Sequence, residues 1–565
     1  MKKLSALFLV LVMVLSALPA LALIEYEGDP RIVPEGEDVT LTIFQPLAPT
    51  VESLDRDKNK ATQLIEEATG LKLEFITALE ADAETKLNLL LNSGDYPYII
   101  SWETGLSKAE MDAYAKEGIF IPLDEYISPE KTPNTVEMFA YSDAIRSFVT
   151  GSDGQIYSLP GFNEAFHCLY GEGRAWYNMP FMTAYGKGLP NTTAELMDYL
   201  KWVRDEDANG NGDPNDENPL VFPSGNTDRF IRWVSNFYQV HPYENYRVNV
   251  AGDGKVEACF TTPEYKMALQ FAHDLYAEDL ILKDSFSITV DDLRAIGENP
   301  NGTTNAVIIG WGPEDGVVKA GSTKRWFEYF AMPPVEGENG QRNAIFNANY
   351  STRQGFYVTD ACPEEYRQYA VQLGDLLLDE YYGYTTYIGP KGLGWDDPSS
   401  PDALGINGEP AWFRELVAYG TQETNSSWDQ RSITNRYAAF RLGQEAEGAD
   451  IILKYLDGDA SLKEEASSFG SYNEVMKYYA CQKNLDPYAF DAEWCVPALL
   501  YADDIVDEAT DAETAVNTHR NEMIAAFVTG ARSLDEYDQY VKELNDMGLQ
   551  TVLDAKNAAL EVIKK

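Results

Sequence analysis

The chain has 565 residues, with 44 Lys and Arg against 91 Asp and Glu, a formal charge of −47 at pH 7. That length exceeds one ordinary hydrophobic core, so at least two lobes are expected. That charge repels phosphate backbones and anionic lipid head groups, which argues against nucleic acid as a partner and leaves solubility as its plain use.

Lys2 and Lys3 open the chain, and an apolar run from Leu4 to Leu18 follows. Ala20 and Ala22 then give the small-x-small pattern that a signal peptidase reads, so residues 1–22 are expected to be a signal peptide cleaved after Ala22. The run is short for a membrane span of about 20 residues. The mature protein is therefore expected outside the cytoplasm, after a flexible lead over residues 23–37.

Val39–Phe44 alternates apolar and polar residues and predicts a strand. Asn59–Thr69 predicts a helix stopped by Gly70. Leu71–Ile76 predicts a second strand, Ala83–Asn92 a helix, Tyr98–Ile100 a buried strand and Ser107–Glu117 a helix. This alternation is what α/β layering requires. Further on, helices are predicted at Thr193–Asp205, Pro263–Glu278 and Pro363–Leu378, and strands at Ala306–Ile309 and Gly355–Val358. From about Gln430 the chain reads mostly as helix, with two helical patterns about the Thr529-Gly530 break. No long linker separates the lobes, so interleaved segments are expected. The division reads as 38–165 plus about 305–360 for lobe 1, and 166–304 plus about 361–565 for lobe 2.

Five cysteines, Cys168, Cys259, Cys362, Cys481 and Cys495, are odd in number and scattered, which is no disulfide framework. Whether Cys481 and Cys495 pair stays open. There are four His and no H-E-x-x-H pattern, so a His-rich zinc site is not expected.

Several strings, in order, resemble the large oligosaccharide-type solute-binding proteins of ABC importers, the LipO-like branch. Glu67–Leu71 is similar to the family's helix-to-strand turn, and Leu87–Pro97 (LNLLLNSGDYP) to its helix ending in SGD-x-P. Gly118–Asp124, Asp153–Pro160 (DGQIYSLP), Trp176–Asn178, Leu189–Leu196 and the terminal Phe527–Leu549 match further family segments. The resemblance implies an α/β, two-lobed periplasmic-binding-protein-like fold of class II type, with discontinuous lobes and a helix-rich C-terminal region. It implies an extracytoplasmic monomer that captures an oligosaccharide, or another small polar solute, by hinge closure and hands it to a membrane permease. No enzymatic step is implied. Many relatives carry a lipidated cysteine at the cleavage site, and none stands between Leu18 and Ile24 here. The competing readings are a secreted glycoside hydrolase and a surface adhesion protein. Paired carboxylates would occur by chance among 91 acidic residues, so they do not favour the hydrolase.

Asp207-Ala208-Asn209-Gly210-Asn211-Gly212-Asp213, followed by Asp216 and Glu217, supplies oxygens at loop positions one, three and five and a glycine at six. Calcium takes about six to eight oxygens, and this spacing resembles an EF-hand loop whose glutamate falls one residue early. The family carries a comparable loop in this place, so Asp207, Asn209, Asn211, Asp213, Asp216 and Glu217 are expected to hold a structural Ca2+.

Sugars offer apolar C–H faces and polar edges, which suit aromatic rings set among amides and carboxylates. In α/β lobes, ligands bind beyond the carboxyl ends of strands. Trp102 with Glu103, and Trp311, stand at such ends. Trp176, Asn178, Trp233 and Trp395 complete the expected ligand contacts, while Trp412 and Trp428 lie in turn-rich segments within reach of a cleft.

Overall fold

Local sequence sets the helix ends. Asn59 caps the helix Lys60–Thr69 by accepting from the Thr62 amide, and Gly70 ends it at φ 76°. A glycine takes that left-handed conformation without the steric cost that a Cβ would add. Ser107 and Glu110 form a reciprocal capping box on Lys108–Lys116.

The computed structural model describes residue 26 and residues 28–563, apart from 48–50, 102–105, 142, 164–165, 251, 319–322, 348–351, 418–434, 438–440 and 458. The expected signal segment, Trp102, Glu103 and Trp428 lie outside the described residues.

The strands run in chain order as β1 (Thr40–Leu47), β2 (Lys72–Leu79), β3 (Ile99–Ser101), β4 (Leu159–Asn163), β5 (Arg174–Asn178), β6 (Asn218–Val221) and β7 (Tyr246–Val248). They continue as β8 (Val256–Ala258), β9 (Asn305–Gly310), β10 (Tyr329–Ala331), β11 (Thr352–Val358), β12 (Trp395–Asp396), β13 (Arg414–Glu415) and β14 (Arg436–Tyr437).

Two units emerge, Met1–Ala165 with Ser351–Val475, and Phe166–Tyr350 with Met476–Lys565. The first holds a six-stranded sheet in the order β14-β4-β11-β3-β1-β2. β1 lies parallel to both β2 and β3, and β11 returns from late in the chain to lie antiparallel between β3 and β4. Its core joins Leu41, Ile43, Ile99, Phe356 and Val358 to Ala370, Val371 and Leu373 of the helix Glu364–Leu376. The second unit holds the order β10-β5-β9-β6 and the hairpin β7-β8. The fold is thus α/β with two discontinuous lobes, as the sequence resemblance implies.

The lobe boundaries differ from those expected late in the chain. Residues 305–350 belong to the second unit, because β9 pairs with β5 and β6 (Trp176 opposite Ile308, Val221 opposite Ile308). Residues 361–475 belong to the first, where β14 pairs with β4. An apolar run announces that a strand is buried and says nothing of which sheet buries it.

The C-terminal region is helical over Val506–Thr529, Tyr537–Asp546 and Leu549–Ile563, broken by Gly530 at φ 78°. Val516, Ile524, Phe527, Tyr540, Leu544 and Val552 enter the core of the second unit. Each fully buried aliphatic or aromatic side chain contributes about 1.5–3 kcal/mol. No disulfide joins any two of the five cysteines, so Cys481 and Cys495 do not pair. No described helix is long and apolar enough to cross a membrane.

Arg532 reaches Glu543 at 2.7 Å, and His519 reaches the same carboxylate at 3.0 Å. The Arg532 contact chiefly holds the Glu543 carboxyl down at about 2, against an ordinary 4.5. Its stabilising contribution is therefore present above 4.5 and is lost as pH falls from there toward 2. Glu543→Gln is expected to lower the melting temperature by a few degrees at neutral pH. Acid thermal melts should show that gap closing across the same window.

Candidate functional site

Every residue of β9, Asn305-Ala-Val-Ile-Ile-Gly310, is buried. A strand covered on both faces reads as a continuous apolar run. At its carboxyl end the chain turns through Trp311 and Gly312 into the short turn Pro313–Asp315. Asp315 Oδ2 accepts from the Trp311 amide at 2.8 Å and from Asn226 Nδ2 at 2.9 Å. A Cβ at position 310 would overlap the Asp315 side chain, so this close approach needs Gly310.

Two side chains from β5 fix the carbonyls of this turn. Trp176 Nε1 donates to Gly310 O at 3.2 Å, and Arg174 Nη1 donates to Trp311 O at 3.1 Å. The Trp311 indole lies against Gly171, where a Cβ would overlap the ring. The Arg174 and Arg229 guanidinium carbons stand 5.7 and 5.8 Å from the ring centroid, within cation–π range. Arg229 Nη1 donates to Asn226 Oδ1 at 2.6 Å. Trp311 itself is half-buried. Burial pushes the Asp315 carboxyl up, and the Asn226 and Trp311 N–H groups oppose that shift. Arg174 is 1% exposed, and its Nη2 has no partner among the described residues. The arrangement is an oriented, half-buried indole beside the half-buried Arg229 and Asp315, held from beneath by the buried Arg174 and Asn226.

The other expected ligand residues fall elsewhere. Trp176 is fully buried, with its indole N–H used on Gly310. Asn178 is also fully buried and caps the helix Met179–Tyr185, accepting from the Phe181 amide and donating to Glu328. Trp233 is 5% exposed and meets Phe237 edge-on at 4.8 Å in the second unit's core. Trp395 is fully buried against Phe413 and Tyr381. In this structure Trp176, Trp233 and Trp395 pack in the cores, since a large ring near a strand end fills a core as readily as it lines a site, and Asn178 is a helix cap. Sequence reasoning missed Gly171, Arg174, Asn226, Arg229 and Asp315. Only Asp315, four residues beyond Trp311 in a Gly-Pro turn, left a local signal.

The acidic loop closes on its own amides. Asp207 accepts from the Asn211 and Gly212 amides, and Asp216 from Asn209 Nδ2 at 3.0 Å and Asn211 Nδ2 at 2.7 Å. Asp213 accepts from the Asn215 amide. Among the described residues no three acidic, histidine or cysteine side chains converge as a metal group. Glu217 is 9% exposed, and its Oε2 is buried without a hydrogen-bond partner among the described residues. Desolvation and the nearby Asp216 and Asp207 charges raise its carboxyl, opposed by the Asn209 amide. A buried, partnerless carboxylate oxygen fits a cation. The two asparagines would present Oδ1 once their amides turned from Asp216.

No family model matches the chain. The fructooligosaccharide ABC transporter substrate-binding protein FusA of Streptococcus pneumoniae is 23% identical over 527 residues, 91% of this chain and 88% of FusA. Lipoprotein LipO of Bacillus subtilis is 25% identical over 259 residues, 44% of this chain and 46% of LipO. FusA in complex with kestose covers 93% of this chain and 99% of its own, with 20% identity and a TM-score of 0.68. The chain has the fold of ABC-importer solute-binding proteins. A HMO-binding, ABC-transporter-associated solute-binding protein of Bifidobacterium longum infantis shares this fold with a TM-score of 0.72, 17% identity, and coverage of 94% and 99%. An EF-hand mutant of FusA, in complex with fructo-nystose, matches with a TM-score of 0.68 and 19% identity over 93% of this chain and 99% of its own.

Gly171→Ala tests how tightly the indole of this solute-binding fold is seated. Overpacking against Trp311 is expected to cost about 1–3 kcal/mol. Urea unfolding of the variant beside the wild type measures it.

Proposed function

We propose that the protein captures an oligosaccharide outside the cytoplasm, by hinge closure, and delivers it to the permease of an ABC importer. The similarity to FusA over nine-tenths of the chain carries this reading. The half-buried Trp311 indole at the end of β9, with the Arg229 guanidinium beside it, supports it, since such a surface suits one sugar ring. FusA is named for fructooligosaccharides, and its complexes hold kestose and fructo-nystose, so fructans are the first solutes to try. Capture and release require no bond chemistry, and the protein acts as a monomeric receptor rather than a hydrolase or an adhesin. The signal-like start of the sequence supports an extracytoplasmic location.

Calcium belongs to the same proposal. Glu217, with Asp207, Asn209, Asn211, Asp213 and Asp216, would hold it, and the ion would neutralise a buried carboxylate at the root of β6. The EF-hand of FusA supports this assignment.

Incubation with kestose is expected to raise the melting temperature without releasing monosaccharide. Trp311→Ala should reduce that shift sharply. Turnover of the sugar overturns the receptor reading, and no shift with any of a panel of oligosaccharides overturns the substrate class.

Calcium is expected to raise the melting temperature, and chelation to reverse it. Glu217→Gln should abolish the calcium response. Because the Glu217 carboxyl is raised in the fold, its charged form is disfavoured there. Metal-free stability therefore rises as pH falls through its titration, while the calcium increment fades over the same range. Melts with and without calcium across the acid range check both signs.

A further inference from the structure

An indole seated on a glycine recurs in the first unit. β12 and β13 form a two-stranded ribbon, with Trp395 opposite Glu415 and Asp396 opposite Arg414. Phe413 is 1% exposed and packs on the buried Trp395, whereas Trp412 beside it is 42% exposed. The Trp412 amide donates to Gly443 O at 2.8 Å. Its ring lies against Gly443, where a Cβ would overlap the indole, just as the Trp311 ring lies against Gly171. Arg414 and Asp396 face each other across the ribbon at 3.9 Å, with 43% and 41% of their side chains exposed. Gln444, next to Gly443, donates to Glu415 at 2.7 Å.

We propose that Trp412, with Arg414 and Asp396, is a carbohydrate-stacking platform of the first unit, taking one ring of a neutral oligosaccharide. The proposal rests on the oligosaccharide reading above. A pyranose or furanose ring offers a C–H face to a flat apolar surface and hydroxyls to donors and acceptors at its edge. The indole supplies the surface, the Arg414 guanidinium the donors and the Asp396 carboxylate the acceptors. Glycine beneath the ring holds it in one orientation, so little side-chain freedom remains to be lost when a sugar stacks. Trp395, which the sequence nominated, is buried against Phe413, and Trp412 beside Phe413 is the exposed indole.

Calorimetric titration of the full chain with kestose and nystose tests the platform. Trp412→Ala is expected to weaken binding about tenfold, the scale of losing one aromatic anchor. Trp412→Phe should fall between that variant and the wild type. Gly443→Ala keeps the indole but displaces it, and should also weaken binding, which carries the test if Trp412→Ala folds poorly. Sugar-free melting temperatures of the variants report folding. Wild-type affinity in all three Trp412 and Gly443 variants, with Trp311→Ala weakened, overturns the platform and leaves the oligosaccharide reading standing. Unchanged affinity with lost uptake by cells assigns the surface to a protein partner and also overturns it. A wild-type chain that binds no member of an oligosaccharide panel overturns both.

Discussion

Burial of β9 on both faces is the constraint on which the second unit depends. Six consecutive buried residues need a sheet neighbour on each side and a packed layer above and below. β5 and β6 supply the neighbours, although they lie more than eighty residues earlier in the chain. The strand then ends where Arg174 and Trp176, from β5, fix the carbonyls of residues 311 and 310. Trp311 is therefore aimed by the same pairing that buries the strand.

The acidic loop is tied to the other end of that strand pair. Glu217 immediately precedes β6, and Asn209 Nδ2 donates at 3.1 Å to Thr303 O, two residues before β9. Asn218 and Asn305, the first residues of β6 and β9, meet through their side-chain amides at 3.1 Å. A cation in the loop would thus brace the amino ends of two parallel strands, and the Trp311 turn lies at the carboxyl end of one of them. That placement gives the loop a structural part, away from the indole and its polar rim.

Much of the fold was legible in residue order. Asn59, Gly70 and the Ser107/Glu110 pair mark helix ends through local hydrogen bonds and a left-handed turn, which depend on neighbours in sequence. The strands read from Tyr98–Ile100, Ala306–Ile309 and Gly355–Val358 fall within or beside β3, β9 and β11. Their sheet partners were not legible, because pairing is settled by contacts far apart in the chain. The error over residues 305–350 and 361–475 has that origin. The site shows the same limit. Trp176, Trp233, Trp395 and Trp412 look alike in sequence, yet only Trp412 among them is exposed. Arg174 and Gly171 matter through a contact with a residue about 140 positions away, for which no short motif exists.

By itself the sequence determined the alternating α/β pattern, the acidic surface, the loop chemistry of residues 207–217 and the family resemblance. These rest on composition, periodicity and short-range spacing. Only the tertiary structure decided which strands share a sheet, which indoles are core and which are surface, and that Glu217 keeps a buried oxygen without a partner among the described residues. Burial is a property of packing between distant segments, so it exists only once the chain has folded.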